Sequence, residues 1–288
     1  MTQYRMVDEI RKYDSVSTFF NDCEALLMRR ECENNVILGI CNANRDKTID
    51  SNNFLLIAAV QHDGTIISCA LSTPHRTSLA TFIPQIEIAI QPLANYFIHQ
   101  QINVKGLSGE TAAVKCFLEF YPKSTVQSNS LVLYKAEMLN RIKLAENTTL
   151  TLATMEDLSI LTIWSKQFSV DVGLRPLDSD DELQAAVEDK IKKELFYKLV
   201  FSDTQQLVSM LAIARQIANY DLISWVYTPS DLRNQGFATT AVYKLTELVL
   251  NVRKKQCALF ADEANPASNK MYQNIGFQRA AEFYDVSF

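Results

Sequence analysis

W-V-Y-T-P-S-D-L-R-N-Q-G-F-A, Trp225 to Ala238, is the stretch on which the fold turns. Trp225, Val226 and Tyr227 are strand formers. Pro229 has no N–H to give to a ladder, so a central strand stops there. Gly236 stands where a polar turn meets a helix. From Phe237 onward the apolar residues Ala241, Val242, Leu245, Leu248, Val249 and Val252 fall on one helical face. A strand that passes through an Arg/Gln/Gly turn into a helix builds an anion site. The first helical N–H groups have no internal partner, and the helix dipole adds partial positive charge at the same point. Gly236 allows close approach to the backbone and Arg233 adds a full charge. A plain strand–turn–helix would carry the same single glycine, so the stretch alone leaves both readings open.

The rest of the chain repeats one pattern. Val16–Arg30 reads as a helix with Phe19, Phe20, Cys23, Leu26 and Leu27 on its apolar side. Val36–Cys41 is apolar and of undecided type. Phe54–Gln61 and Thr65–Thr73 flank His62-Asp63-Gly64, a hairpin signal. Pro84, Pro92 and Gly106 punctuate the next stretch, before a helix over Thr111–Phe120 and a strand over Leu131–Met138. Glu146-Asn147-Thr148 reads as a boundary. Beyond it come a strand at Thr149–Ala153 and a helix opened by Thr154 and Asp157 through about Val170. Gly173, Pro176 and the acidic run Asp178–Glu182 form a loop and open another helix. A second hairpin comes next, Phe196–Phe201 and Gln206–Ala214, then the strand Tyr220–Thr228. After the long helix come a buried strand at Cys257–Phe260, a helix from Asn265 to Ile275, and a closing strand in Phe277–Phe288. The two hairpins, each preceded and followed by matching elements, mark two copies of one α/β unit, 1–146 and 147–288. The first copy runs on from Pro74 as H-R-T-S-L-A-T-F-I-P, without a glycine, so it should not hold a phosphate in the same way.

Composition excludes several classes. At 288 residues, 48% hydrophobic and 21% charged, the chain is that of an ordinary two-domain globular protein. No apolar run reaches the roughly 20 residues of a membrane span. Met1–Asp14 is polar with both charge signs, unlike a signal peptide, and a cytoplasmic location is expected. A net charge of −5 with no basic block argues against nucleic acid as a partner. Cys23, Cys32, Cys41, Cys69, Cys116 and Cys257 form no C-x-x-C pair and have no nearby histidine set, so no metal is expected.

Two motifs carry a resemblance. Val226, Tyr227, Thr228, Pro229, Arg233, Gly236 and Ala238 spell V-Y-T-P-x-x-x-R-x-x-G-x-A. Asp262, Asn265, Pro266, Ser268, Asn269, Tyr272, Ile275, Gly276 and Phe277 spell D-x-x-N-P-x-S-N-x-x-Y-x-x-I-G-F. Together, over about Leu150–Phe288, they resemble the GNAT N-acetyltransferases. The whole chain resembles the bacterial two-domain type, in which a degenerate GNAT-like half precedes an intact one. The resemblance implies two tandem mixed α/β domains, each a twisted, mostly antiparallel sheet flanked by helices. It implies acetyl-CoA as cosubstrate and an amine acceptor, either a small molecule or a peptide N-terminus or lysine. The assembly would be a monomer or homodimer without membrane contact.

Site roles come from the same resemblance. Arg233, Asn234, Gln235, Gly236, Phe237 and Ala238 would cradle the pyrophosphate, with Thr239 and Thr240 able to add hydroxyls. Asn234 departs from the commoner glycine, mildly, because Asn tolerates left-handed φ. Val226 and Thr228 would offer backbone groups to the pantetheine arm at an open strand edge. Asn265 is by its own chemistry a helix cap before Pro266, and the resemblance adds a pantetheine contact there and at Ser268. Tyr272 would be the general acid, giving a proton to the departing sulfur. Asp221 and Asp262 stand as general-base candidates, with Glu263 behind them, Tyr220 able to place a water, and a water relay as the alternative. Cys257 begins a buried strand and is a poor nucleophile. Two other readings remain open: a CoA-binding sensor or scaffold without turnover, and transfer of a longer acyl chain limited by Trp225 and Tyr227.

Overall fold

The computed structural model describes residues 7–45, 54–61, 63–173 and 179–288. His62 of the first hairpin turn, Pro176, Asp178 and Met1–Met6 lie outside them. Contacts divide the chain into two units, one running to Leu133 and including Ala280–Phe288, the other Tyr134–Arg279. The elements of each copy keep one order: strand, two helices, three strands, helix, strand, helix, strand.

In the first unit these are β1 (Val7–Tyr13), α1 (Val16–Met28), α2 (Asn35–Asn44), β2 (Leu55–Gln61), β3 (Ile66–Ser72), β4 (Thr77–Thr81), α3 (Ile86–His99), β5 (Gly106–Glu110) and α4 (Thr111–Phe120). β6 (Gln127–Ala136) then leads into the second unit. β1 to β4 pair antiparallel in turn, and β4 pairs parallel with β5. Ser15 caps α1 by accepting from the Thr18 N–H at 3.1 Å.

Two elements here escape periodicity. β1 is a charged strand, V-D-E-I-R-K-Y, in which Tyr13 is buried and Ile10 packs on the core. Its charges suit the edge of a sheet. α3 runs through Pro92, which removes one helical hydrogen bond at about 3 kcal/mol. Ala89, Ile90, Leu93, Ala94 and Phe97 are all fully buried along it. That burial, at about 1.5–3 kcal/mol for each large apolar side chain, outweighs the proline.

The second unit comprises β7 (Thr148–Leu152), α5 (Leu158–Asp171), α6 (Asp180–Lys192), β8 (Phe196–Phe201), β9 (Leu207–Gln216), β10 (Tyr220–Tyr227), α7 (Phe237–Leu248), β11 (Gln256–Asp262) and α8 (Pro266–Ile275). β7, β8, β9 and β10 pair antiparallel in turn, and β10 pairs parallel with β11. Thr154 and Asp157 form a capping box at the head of α5, with the Thr154 N–H 2.8 Å from the Asp157 carboxylate. Ser179 caps α6, whose first turn carries Asp180, Asp181 and Glu182.

The last strand, β12 (Gln278–Ser287), differs from expectation. The sequence pattern has it closing the C-terminal copy, yet Ala280–Phe288 belongs to the first unit. β12 pairs antiparallel with β5, from Phe283↔Glu110 to Ser287↔Gly106. Val286 is buried in that unit's core, Tyr284 packs against it, and Asp285 forms an ion pair with Arg76. The expected boundary at 146 likewise moves to the Leu133–Tyr134 junction inside β6. Strand partners are set by long-range packing, which local periodicity does not encode.

Candidate active site

The second unit is organised around a parting of strands. β10 and β11 pair from Tyr220↔Gln256 to Ile223↔Leu259 and no further. On its other side β10 slips register against β9 between Ser224 and Tyr227. Trp225, at φ +55, is the bulged residue. Trp225 and Val226 therefore have no partner in either ladder, and β10 presents an open edge toward the gap. The Tyr227 carbonyl is taken by the Ser209 hydroxyl at 3.0 Å, and the Thr228 hydroxyl donates to the Ser209 oxygen at 3.0 Å. The Trp225 ring lies 5.6 Å from Phe196, and the Tyr227 ring lies 5.8 Å from Trp164 of α5.

The polar turn comes directly after. Ser230–Leu232 makes one tight turn, then Asn234 (φ +63) and Gly236 (φ +81) both adopt left-handed backbone. Arg233 through Gly236 are exposed and Phe237 is buried. A Cβ built on Gly236 meets no atom within 4 Å, so the space in front of the turn is open. The first bond of α7 runs from the Thr240 N–H to the Gly236 carbonyl at 2.9 Å. The N–H groups before Thr240 thus precede any internal acceptor. Arg233 braces the turn. Its Nε donates to the Thr228 carbonyl at 3.0 Å, its Nη2 reaches Asp171 at 2.5 Å, and its guanidinium lies 5.7 Å from the Tyr227 ring. Part of the charge expected for an anion is therefore already engaged, and so is the Thr228 carbonyl expected to face pantetheine.

α8 follows β11 directly in the chain. Asn265 caps it, its Oδ1 accepting from the Ser268 N–H at 3.1 Å, while the Ser268 hydroxyl turns back to the Asn265 carbonyl at 3.1 Å. The capping role expected of Asn265 is thus present. Gly276 ends the helix at φ +125, with the Met138 carbonyl 2.7 Å from where a Cβ would stand. Tyr272 is 7% exposed, and burial alone raises its phenol to about 12. Its ring lies 6.1 Å from Tyr134 and 5.9 Å from Phe277. Tyr134 is fully buried. Its hydroxyl donates to the Asn269 Oδ1 at 2.9 Å and accepts from the Gln273 Nε2 at 3.0 Å.

Residues 197–286 match the family model described as FR47-like protein. Three solved structures align over nearly their whole lengths. A GCN5-related N-acetyltransferase from Sphaerobacter thermophilus aligns with a TM-score of 0.65 and 12% identity, over 98% of this chain and 96% of its own. A GNAT-family acetyltransferase from Colwellia psychrerythraea gives 0.57 and 14%, over 98% and 100%. A tandem GNAT protein from the clavulanic acid biosynthesis pathway gives 0.56 and 9%, over 97% and 98%. The chain has the GNAT acetyltransferase fold. No curated protein matches the sequence. The GNAT resemblance read from the two motifs is borne out, and with it the mixed α/β fold class.

Some expected roles change in the structure. Thr240 is buried, and its hydroxyl oxygen accepts from the Ala145 N–H at 2.8 Å, so it ties α7 to the chain before β7 rather than facing the turn. Thr239 is half-buried. Asp221 is fully buried, with Arg253 at 2.7 Å and Lys255 at 3.6 Å. It lies four residues before Trp225, about 13 Å along the strand at roughly 3.3 Å per residue. Burial raises its carboxyl, and the two cations oppose that rise. It is a counterion, not a base facing the gap. Tyr220 stands beside it at the same end of β10. The Asp262 carboxylate accepts from the Ala264 N–H at 2.9 Å, fixing the turn into α8, and Glu263 pairs with Arg279 at 3.0 Å. Asp171, Tyr134 and Gln167, whose Oε1 accepts from the Tyr227 hydroxyl at 2.7 Å, join the site unforeseen, because they lie far from the motifs in sequence. Among the described residues no cluster of His, Cys, Asp or Glu is placed to hold a metal ion, and no helix is long and apolar enough to cross a membrane.

Proposed function

We propose that the second unit is an acetyl-CoA-dependent N-acetyltransferase in which the acceptor amine attacks the thioester directly. One observation carries this reading: the open edge of β10 at Trp225–Val226 runs straight into the left-handed turn Asn234–Gly236. An extended arm needs the first and a pyrophosphate needs the second. Acetyl-CoA supplies the activated acyl group. The backbone of Val226 and Thr228 lies along the arm, and the N–H groups of Asn234, Gln235, Gly236, Phe237, Ala238 and Thr239 line the anion space. Arg233 stiffens the turn and keeps one side of its guanidinium for charge. Asn265 and Ser268 border the gap from α8.

Tyr272 acts as general acid. Burial keeps its phenol protonated at neutral pH. As the amine nitrogen bonds to the carbonyl carbon and the carbon–sulfur bond breaks, the phenol proton passes to the sulfur. The proton lost by the amine goes to solvent water, from which Tyr272 is reprotonated. A covalent cysteine route has no support: Cys257 is fully buried, and burial pushes its thiol up to about 12. The acceptor is a small amine or a peptide N-terminus or lysine, with no nucleic acid or metal involved.

The test is release of CoA from acetyl-CoA across an amine panel, with Tyr272→Phe beside the wild type. Turnover that falls about a hundredfold in the variant, with unchanged acetyl-CoA affinity, supports the reading. Absence of turnover with tight CoA binding identifies a sensor instead.

A further inference from the structure

The first unit holds a cavity for which acetyl transfer has no use. It lies where β4 and β5 part, at their carboxyl ends, and has a volume of about 310 Å³. That is the lower end of small-molecule sites, roughly 300–1,000 Å³. Open α/β sheets take their ligands in crevices at the carboxyl ends of parallel strands. Leu26, Phe82 and Ile86 give the cavity an apolar wall.

Two buried polar side chains also line it. Asn34 is 8% exposed and Thr81 is 9% exposed. The Asn34 amide is anchored on one side, its Nδ2 donating to the Leu27 carbonyl at 2.9 Å. Its Oδ1 and the Thr81 hydroxyl have no hydrogen-bond partner among the described residues. Buried polar groups are nearly always paired, so two unpaired ones on one cavity point to a ligand or to water. The rim is charged. Arg30 is engaged by Glu110 through two bonds, at 2.6 and 2.8 Å. Arg29 is exposed and pairs with no carboxylate among the described residues. α3 and α4 both begin at the cavity, at Ile86 and Ala112, and neither has a side-chain cap. Their free N–H groups and dipoles add to the Arg29 charge.

These walls select a ligand by its chemistry. The Asn34 Oδ1 can only accept, so it needs a donor. An ammonium serves both unpaired oxygens at once, where a single hydroxyl would serve one. The rim favours a carboxylate. Leu26, Phe82 and Ile86 favour an apolar body.

We propose that this cavity binds a small amino acid with an apolar side chain. The ammonium meets Asn34 and Thr81, the carboxylate faces Arg29 and the two helix starts, and the side chain packs on the apolar wall. Whether acetyl-CoA binds the second unit has no bearing on this site.

Titration calorimetry of the intact chain with leucine tests it, beside two analogues. 4-Methyl-2-oxopentanoate lacks the ammonium and isoamylamine lacks the carboxylate. Leucine should bind at about one site per chain, and each analogue about tenfold more weakly or worse. Thr81→Val exchanges the hydroxyl for a methyl and should weaken leucine about tenfold. It should unfold no lower than the wild type, because the hydroxyl has no protein partner to lose. Arg29→Gln, at the exposed rim, should weaken leucine about threefold. No binding of leucine, isoleucine or phenylalanine would mean a cavity that holds water only, and would overturn the site. Undiminished binding in Thr81→Val, or analogues that bind as well as leucine, would overturn it too.

Discussion

The two units of this chain repeat one order of elements and part at one junction. In both, a parallel strand pair separates partway. β4 leaves β5 after Ser78↔Ser108, and β10 leaves β11 after Ile223↔Leu259. Beyond that point the two diverge. The first unit passes through Phe82-Ile83-Pro84-Gln85 into α3, with no left-handed residue and with a proline that has no N–H. The second passes through two left-handed residues, Asn234 and Gly236, into α7. A second contrast lies on the next helix. Tyr272 is the seventh residue of α8, and Phe117 is the seventh of α4. The first unit keeps a cavity of about 310 Å³ at its junction, lined by Leu26, Phe82, Ile83, Pro84 and Ile86 and bordered by the Arg30–Glu110 pair at 2.6 Å. Separation of the strands thus belongs to the shared topology. The anion turn and the phenol belong to the sequence of one copy.

Four comparisons sharpen or break that contrast. The largest effect is expected at Tyr272. Tyr272→Phe makes the second unit resemble the first, and kcat should fall about 10²-fold or more while the acetyl-CoA Kd holds. Phe117→Tyr should rescue nothing in the double variant, measured in the same assay. Next comes a pair of glycines. Gly276→Ala places a Cβ 2.7 Å from the Met138 carbonyl at φ +125 and should cost about 2–4 kcal/mol by urea unfolding. Gly109→Ala in the first unit meets the Leu79 carbonyl at 3.2 Å, needs no left-handed backbone, and should cost less. A greater loss at Gly109 would reverse the account of the two helix–strand approaches.

A smaller effect attends the caps. Asn265→Ala removes a side-chain cap from α8, worth about 1 kcal/mol by urea unfolding. Glu110, which precedes α4, makes no cap bond, and its exposed pair with Arg30 is worth at most about 1 kcal/mol. The smallest effect is in pH. The phenol of Tyr272 ionises near 12 in the fold and near 10 when unfolded. Its protonated form therefore contributes stability that is complete below about pH 10 and fades as pH rises toward 12. The stability difference between wild type and Tyr272→Phe should stay flat to about pH 10 and shift against the wild type above it, as read by urea unfolding at each pH.

Much of this was legible in the sequence, for identifiable reasons. The hairpins, the helices opened by Thr154 and Asn265, and the turn at Gly236 rest on local rules of periodicity, capping and left-handed backbone. Asn234 stands where the resembled family commonly has glycine, and its left-handed backbone agrees with that place. The features that escaped are those set at long range. β1 hides its one buried tyrosine among charges, and α3 overrides Pro92 through core burial. β12 chooses β5, and nothing within Gln278–Ser287 announces it. In the site, Asp221 reads from the sequence as a base candidate or as a solvated strand-end residue, and it is neither. Arg253 and Lys255 hold it only because the chain between α7 and β11 carries them there.

Titration calorimetry of the intact chain with acetyl-CoA, beside Gly236→Glu, tests the central claim most directly. Nothing stands within 4 Å of a Cβ at Gly236, but φ +81 strains any side chain there, so the glutamate opposes a pyrophosphate both by its charge and by straining the turn. The account predicts about one site per chain in the wild type and no measurable binding in the variant. Two sites per chain, or undiminished binding in the variant, would contradict it.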